Sequence, residues 1–216
     1  YHEVKVKLEH NFKKANNAFC NSNKLWCDYI YLDTDERRRF AQVSHEYLIE
    51  QIQEETLSTP TGSSNLNFNH PVKELVFVKS TGGANDAAVA NVSGAASTAQ
   101  IGSGSAKYQL KLNGHDRFAE RDYRYFSRTQ VWEHHTGPGG LDSTGAKGGG
   151  KLNDAIGVYS FALKPEEHQP SGTCNFSRID NAQFVGDDNC TADKIFAINY
   201  NVLRIMSGMG GLAYSN

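Results

Sequence analysis

The sequence lacks most of the features that would identify a protein quickly. No apolar run approaches the roughly 18 residues of a membrane-spanning helix. No leader-like stretch is visible. The chain starts at Tyr1 without Met, inside what reads as a strand. It is therefore expected to be a fragment, for which a missing leader carries no information. Four cysteines in 216 residues (Cys20, Cys27, Cys174 and Cys190) are too sparse for a disulfide scaffold, so free thiols are expected. A zinc site is disfavoured, because there is no C-x2-C pair and no nearby H-x3-H. There is also no excess charge: 24 acidic residues face 22 basic ones. A near-neutral chain is poorly suited to wrapping nucleic acid and well suited to packing against copies of itself.

What is present is alternation. In Glu3–Glu9, Val4, Val6 and Leu8 share one face and the charges the other, which predicts a half-buried strand. Residues 10–24 are rich in Asn and Lys and read as a linker. Trp26–Leu32 reads as a strand, Asp33–Arg39 as a solvated turn, and Phe40–Gln53 as a short helix feeding a strand. Thr56–Asn69 reads as a polar loop and Pro71–Lys79 as a strand buried on both faces. Residues 80–106 are built almost wholly of Gly, Ala, Ser, Asn and Thr and are expected to form a long exposed loop. Lys107–Leu112, one or two segments within Arg121–Trp132, Ile156–Leu163, Cys174–Arg178 and Lys194–Ile205 complete the strands. A second Gly-rich loop covers 136–152. Some eight to ten strand signals with almost no helical pattern predict an all-β sandwich or barrel. Periodicity alone leaves jelly-roll, immunoglobulin-like and lectin topologies open.

Candidate chemistry is thin. His134-His135 beside Glu133 suggests a cupin-like metal site, but neighbouring strand residues point to opposite faces and the H-x-H spacing is missing. Gly140–Lys147 is similar to a phosphate loop, with the Lys one residue late and no Ser or Thr after it. No Ser-His-Asp or Cys-His set can be assembled. Neither a catalytic residue nor a cofactor is expected, and the chain is not expected to be an enzyme. Three N-x-[ST] sequons mark Asn91, Asn175 and Asn189 as weak glycosylation candidates.

Six stretches carry a resemblance. They are Tyr1–Lys5, Tyr29–Ala41, Asn113–Arg121, Gly157–Glu166, Gln169–Asn181 and the final run Asn201-Val-Leu-Arg-Ile-Met-Ser-Gly-Met-Gly-Gly-Leu-Ala-Tyr-Ser-Asn216. In order and in residues they resemble the major capsid proteins of nucleocytoplasmic large DNA viruses, over nearly the whole chain. The resemblance implies a double jelly roll, with 1–24 as the end of the first roll plus linker and 25–216 as the second roll. It implies homotrimers forming pseudo-hexagonal capsomers that tile an icosahedral shell over an internal membrane. Minor capsid and penton proteins would be neighbours, and nucleic acid would not be bound directly. It also implies assembly in the host cytoplasm and residence in the virion. A lectin-like glycan-binding jelly roll is the alternative function. In the final run, Gly208, Gly210 and Gly211 are expected to allow positive φ or close backbone approach. Met206 and Met209 are expected to fill irregular gaps. With Arg204 they would form a segment that closes the second roll and braces the trimer seam.

Overall fold

The computed structural model describes residues 3–7, 24–57, 62–81, 86–87, 100–137, 141–142, 151–152, 154 and 156–214. The chain divides into two units: Ile49–Asn201, and Tyr1–Leu48 together with Val202–Ser215. In chain order the main elements are α1 (Thr34–Gln42), β1 (His45–Thr56), β2 (Gly62–Leu66), β3 (Pro71–Val78), β4 (Lys107–Leu112), α2 (Gln130–His134), β5 (Ile156–Ser160), β6 (Ala182–Gly186), β7 (Lys194–Met206) and β8 (Met209–Leu212).

Within 49–201, one antiparallel sheet has the order β1-β7-β3-β5 and the other β2-β6-β4. From β1 to β7, odd-numbered strands lie in one sheet and even-numbered strands in the other, so successive strands alternate between sheets. First pairs with last, second with next-to-last. That nesting is a jelly roll, which resolves the choice periodicity left open.

The two sheets meet through aromatic rings. Phe77 on β3 lies 5.0 Å from Tyr108 on β4 and 4.9 Å from Phe184 on β6, centroid to centroid. Tyr108 stacks on Phe184 at 5.1 Å. Leu75, Ile101, Leu110 and Ile195 complete the fully buried centre. Burying a ring such as Phe77 contributes on the order of 2–3 kcal/mol. The Tyr108 hydroxyl donates to the Ile101 carbonyl and accepts from the Ala192 N–H at 3.2 Å, so its polar end is satisfied. Burial pushes its pKa far up. Gly157 on β5 passes directly over Phe77: a Cβ there would lie 2.4 Å from the ring and 2.8 Å from Ile101 Cδ1.

Several sequence expectations change. Arg121–Trp132 is not a strand beyond Arg121–Asp122. It turns into a π-helical stretch, Tyr125–Thr129, that runs into α2. Its ring Phe126 plugs the core, 5.5 Å from Phe77, and Gln130 accepts the edge N–H of Ser160 at 3.0 Å. The aromatic spacing was shared between helix and strand, and burial of Phe126 decides for helix. The polar stretch 56–69 holds β2, whose Ser64 and Leu66 face inward. Unforeseen β6 separates β2 from β4. Ile101 and Ala106, at the end of the supposed exposed loop, are fully buried. Cys174–Arg178 is a two-residue strand and a 3-10 turn.

In the other unit, Asp33 caps α1 by accepting from Thr34 N–H at 2.7 Å, with Asp35 and Glu36 in the first turn and Arg39 in the last. The charges expected in a turn suit the helix macrodipole instead. Residues 3–7 and 24–33 form no ladder and are exposed, against the two strands expected there. An alternating strand needs a neighbour to bury its apolar face, and among the described residues neither segment has one. Residues 10–23 lie outside the described residues, as does most of 82–99 and 138–153.

We expect Gly157→Ala to lower unfolding stability by about 1–3 kcal/mol through overpacking against Phe77. Gly211→Ala, whose Cβ would meet nothing within 4 Å, should change it by under about 0.5 kcal/mol. Urea titrations of the two variants check the contrast.

Candidate functional site

The ionisable groups collect around a flaw in β3. Opposite β7 the register slips: Ile198 pairs with Glu74, but Asn199 pairs with Val72. Lys73 is the extra residue of a β-bulge. The bulge sends both Lys73 and Glu74 to the side away from Leu75 and Phe77. Both are nonetheless buried. Lys73 Nζ donates to the Pro165 carbonyl at 2.7 Å and pairs with Glu50 at 2.7 Å. Its carbonyl accepts from Phe161 N–H at 2.9 Å and Ala162 N–H at 3.2 Å. These bonds strap residues 161–172 over the bulge. Gly172, at φ 150°, lets the strap turn, since a Cβ there would sit 2.7 Å from the Phe161 carbonyl oxygen.

His134 and His135 end α2, not a strand. His134 Nδ1 contacts the Leu163 carbonyl at 3.0 Å. His135 has Glu74 Oε2 at 3.1 Å from Nε2 and Glu166 Oε1 at 3.1 Å from Nδ1. The Glu74 carboxylate first, and Glu166 after it, raise the imidazole pKa against the opposing effect of burial. The histidine lies between the two acids, so the three do not converge on one point. Among the described residues no group of three or more His, Cys, Asp or Glu side chains is placed to hold a metal.

A second buried acid sits at the other end of α2. Asp154, at φ 44°, accepts from Ser127 Oγ at 2.6 Å, Arg128 Nε at 2.8 Å and Arg128 Nη2 at 2.6 Å. Burial alone would raise its pKa, but the Arg128 and Ser127 donors outweigh this and hold it below the usual carboxylate range. Its carbonyl accepts from Ile101 N–H at 3.0 Å. The group fastens the π-helical stretch to the core. Sequence spacing alone gave no hint of it.

The segment Arg204, Met206, Gly208, Met209, Gly210 and Gly211 is a β-hairpin. Met206 pairs with Met209 across Ser207 and Gly208, both at positive φ (53° and 75°), as a tight type I′ turn requires. Positive φ was thus rightly anticipated at Gly208. Met206 and Met209 are 55% and 57% exposed and fill no gap among the described residues. Gly211 pairs with Arg204 in the ladder, and a Cβ on it would meet nothing within 4 Å. The Arg204 side chain pairs with Glu46 at 2.6 Å.

Of the sequons, Asn91 lies outside the described residues. Asn175 Oδ1 accepts from Ser177 N–H at 3.1 Å, and Ser177 Oγ from His70 N–H at 2.8 Å. Thr191, two residues after the exposed Asn189, donates its hydroxyl to the Gln100 carbonyl. Both hydroxyls hold backbone. Cys27, Cys174 and Cys190 are free, and burial pushes the Cys190 thiol up to about 12.

Two of the recognised stretches meet physically. Asn113-Gly114 forms a hairpin turn at positive φ, and Asn113 Oδ1 accepts from Asp180 N–H at 3.0 Å and Asn181 N–H at 3.2 Å. The family model described as large eukaryotic DNA virus major capsid protein matches residues 36–211. The chain therefore belongs to the major capsid protein family of large eukaryotic DNA viruses. It is 47% identical to the major capsid protein of Pyramimonas orientalis virus, covering 100% of this chain and 56% of that protein. It is 40% identical to the one from Paramecium bursaria Chlorella virus 1, covering 89% of this chain and 54% of that one. A solved structure titled "PBCV-1 virus capsid, quasi-atomic model" matches with a TM-score of 0.65 at 38% identity, over 87% of this chain and 56% of that one. The chain spans about half the length of the curated relatives it matches.

Asp154 predicts an acid-linked effect. A depressed native pKa contributes stability above the unfolded midpoint near ~3.9 and loses it as pH falls through the native midpoint. Arg128 is 36% exposed, so screening keeps the contribution modest. Asp154→Asn should cost about 1–2 kcal/mol at neutral pH and make the acid limb of the stability–pH curve shallower. Denaturant melts across the acid range test this, and an unchanged limb would count against it.

Proposed function

We propose that this chain is the shell-building second jelly roll of a major capsid protein. Residues 1–24 are then the end of a first roll plus linker, and 25–216 the second roll. Three copies of the whole subunit form a pseudo-hexagonal capsomer, and capsomers tile an icosahedral shell beside minor capsid and penton proteins. The shell encloses an internal membrane and is assembled in the host cytoplasm. The observation that carries this reading is where apolar surface is left bare. Among the described residues, sixteen of the twenty exposed large hydrophobic residues fall in 1–48 and 202–215. Among them are Trp26, Tyr29, Ile30, Tyr31, Met206 and Met209, and α1 buries no residue at all. Apolar surface on this scale marks a face made to be covered, and the rest of the subunit and its neighbours supply the cover. The near-neutral charge supports close association between copies. The lectin-like alternative has no observation in its favour.

The full-length subunit should have the solution mass of three chains by light scattering. Met206→Glu with Met209→Glu should leave the fold stable to within about 0.5 kcal/mol, because both side chains are exposed, and shift the mass towards the monomer. A stable wild-type monomer, or an undiminished trimer in the double variant, would overturn the assignment of this hairpin to the seam.

A further inference from the structure

His135 joins three pieces of chain that are far apart in sequence. It ends α2, touches the buried Glu74 of β3 with one ring nitrogen and Glu166 of the 161–172 strap with the other. Glu166 also accepts from the backbone N–H of Thr136 at 3.2 Å and from its hydroxyl at 2.7 Å. Glu74 is 6% exposed, and its Oε2 has no hydrogen-bond donor aligned on it. The histidine thus meets it at ion-pair distance without hydrogen-bond geometry, so charge is what couples them. A buried carboxylate without a countercharge is costly, and the other cations nearby are engaged. Lys73 is held by Glu50 and Pro165, and Lys164 pairs with Glu167 at 3.0 Å. His134 is turned to Leu163. The remaining ionisable groups on these elements are Glu133 of α2, the exposed His168 of the strap, and Tyr200, Lys194 and Arg204 of β7; the Tyr200 ring lies under Lys73, Lys194 pairs with Glu54 and Arg204 with Glu46. Among the described residues, only Glu74 and Glu166 reach the imidazole.

We propose that His135 is the pin of a pH-sensitive latch, which holds the end of α2 and the 161–172 strap on the bulge of β3 when the imidazole is charged and loosens both when it is neutral. The two partners are acids from separate elements; the charged ring is a countercharge to both, whereas the neutral ring has a single N–H and can donate to at most one of them. Below the latch, Lys73 keeps its ties to Pro165, Phe161 and Ala162, so within 163–168 the strap loosens around Glu166 without detaching.

The sign follows from the raised histidine pKa. Its contribution is complete below the ordinary midpoint near ~6.5 and is lost as pH rises through the native one. Amide hydrogen exchange of the chain, corrected for the intrinsic pH dependence of exchange, should be compared at about pH 5.5 and about pH 8.5. Protection in 131–137 and 163–168 should fall at the higher pH, about tenfold for each pH unit separating the native and ordinary histidine midpoints. Protection in β4 and β6 should stay constant. His135→Gln should remove the pH dependence while β4 and β6 keep their protection. Equal protection of 131–137 and 163–168 at both pH values, or a pH dependence that survives in His135→Gln, overturns the latch. Should that variant fail to fold, an NMR titration of His135 in the wild-type chain replaces it. A midpoint above the ordinary histidine range supports the latch, and one within or below that range overturns it.

Discussion

The sandwich depends on one close contact: the Phe77 ring lies against a strand that has no side chain to meet it. Phe77 reaches Tyr108 and Phe184 in the opposite sheet and Phe126 at the open side, so its position sets the spacing between sheets. It can occupy that position because Gly157, on the neighbouring strand of its own sheet, carries no Cβ. Strand propensity argues against glycine there. Packing requires it, and packing wins because interiors tolerate overlap far less than they tolerate a weak strand former.

The second organising feature is the bulge at Lys73. An extra residue in β3 breaks alternation and places a base and an acid side by side where period two would have placed one of each face. Both charges are buried, and each is met from a different direction: Glu50 and a carbonyl for Lys73, His135 for Glu74. The 161–172 strap and the end of α2 are consequently held by polar groups, whereas the body of the roll is held by rings. Asp154 repeats the pattern at the other end of the helical stretch, with Arg128 and Ser127 as its partners.

How far the sequence could be read follows from these forces. β3, β4, β5 and β7 were legible because burial on one or both faces writes a period-two or continuous apolar pattern. β2 and β6 were not, because short strands with Ser, Asn and Gln at outward positions differ little from loop. The helical run 123–134 was misread because aromatic residues favour strands on average, while here Phe126 is turned inward by a helix. Val4, Val6 and Trp26–Leu32 have strand-like patterns without ladders, since a strand is a property of two chains of residues and only one is present among those described. The charge clusters were invisible because Glu74, His135 and Glu166, like Arg128 and Asp154, are brought together only by the fold. The final run was legible as a family mark, and Gly208 as a turn, but the exposure of its methionines is a fact of three dimensions.

The nested strand order has a temporal side. β7 lies between β1 and β3, and β6 lies between β2 and β4. Neither sheet can be completed by residues made early in synthesis. Until the last strands emerge, β1 and β3 have an empty lane between them, and β2 lacks its neighbour altogether. Non-local pairing of this sort folds slowly. It also means that the strand completing the roll and the hairpin that follows it in sequence arrive together: a chain interrupted partway has neither.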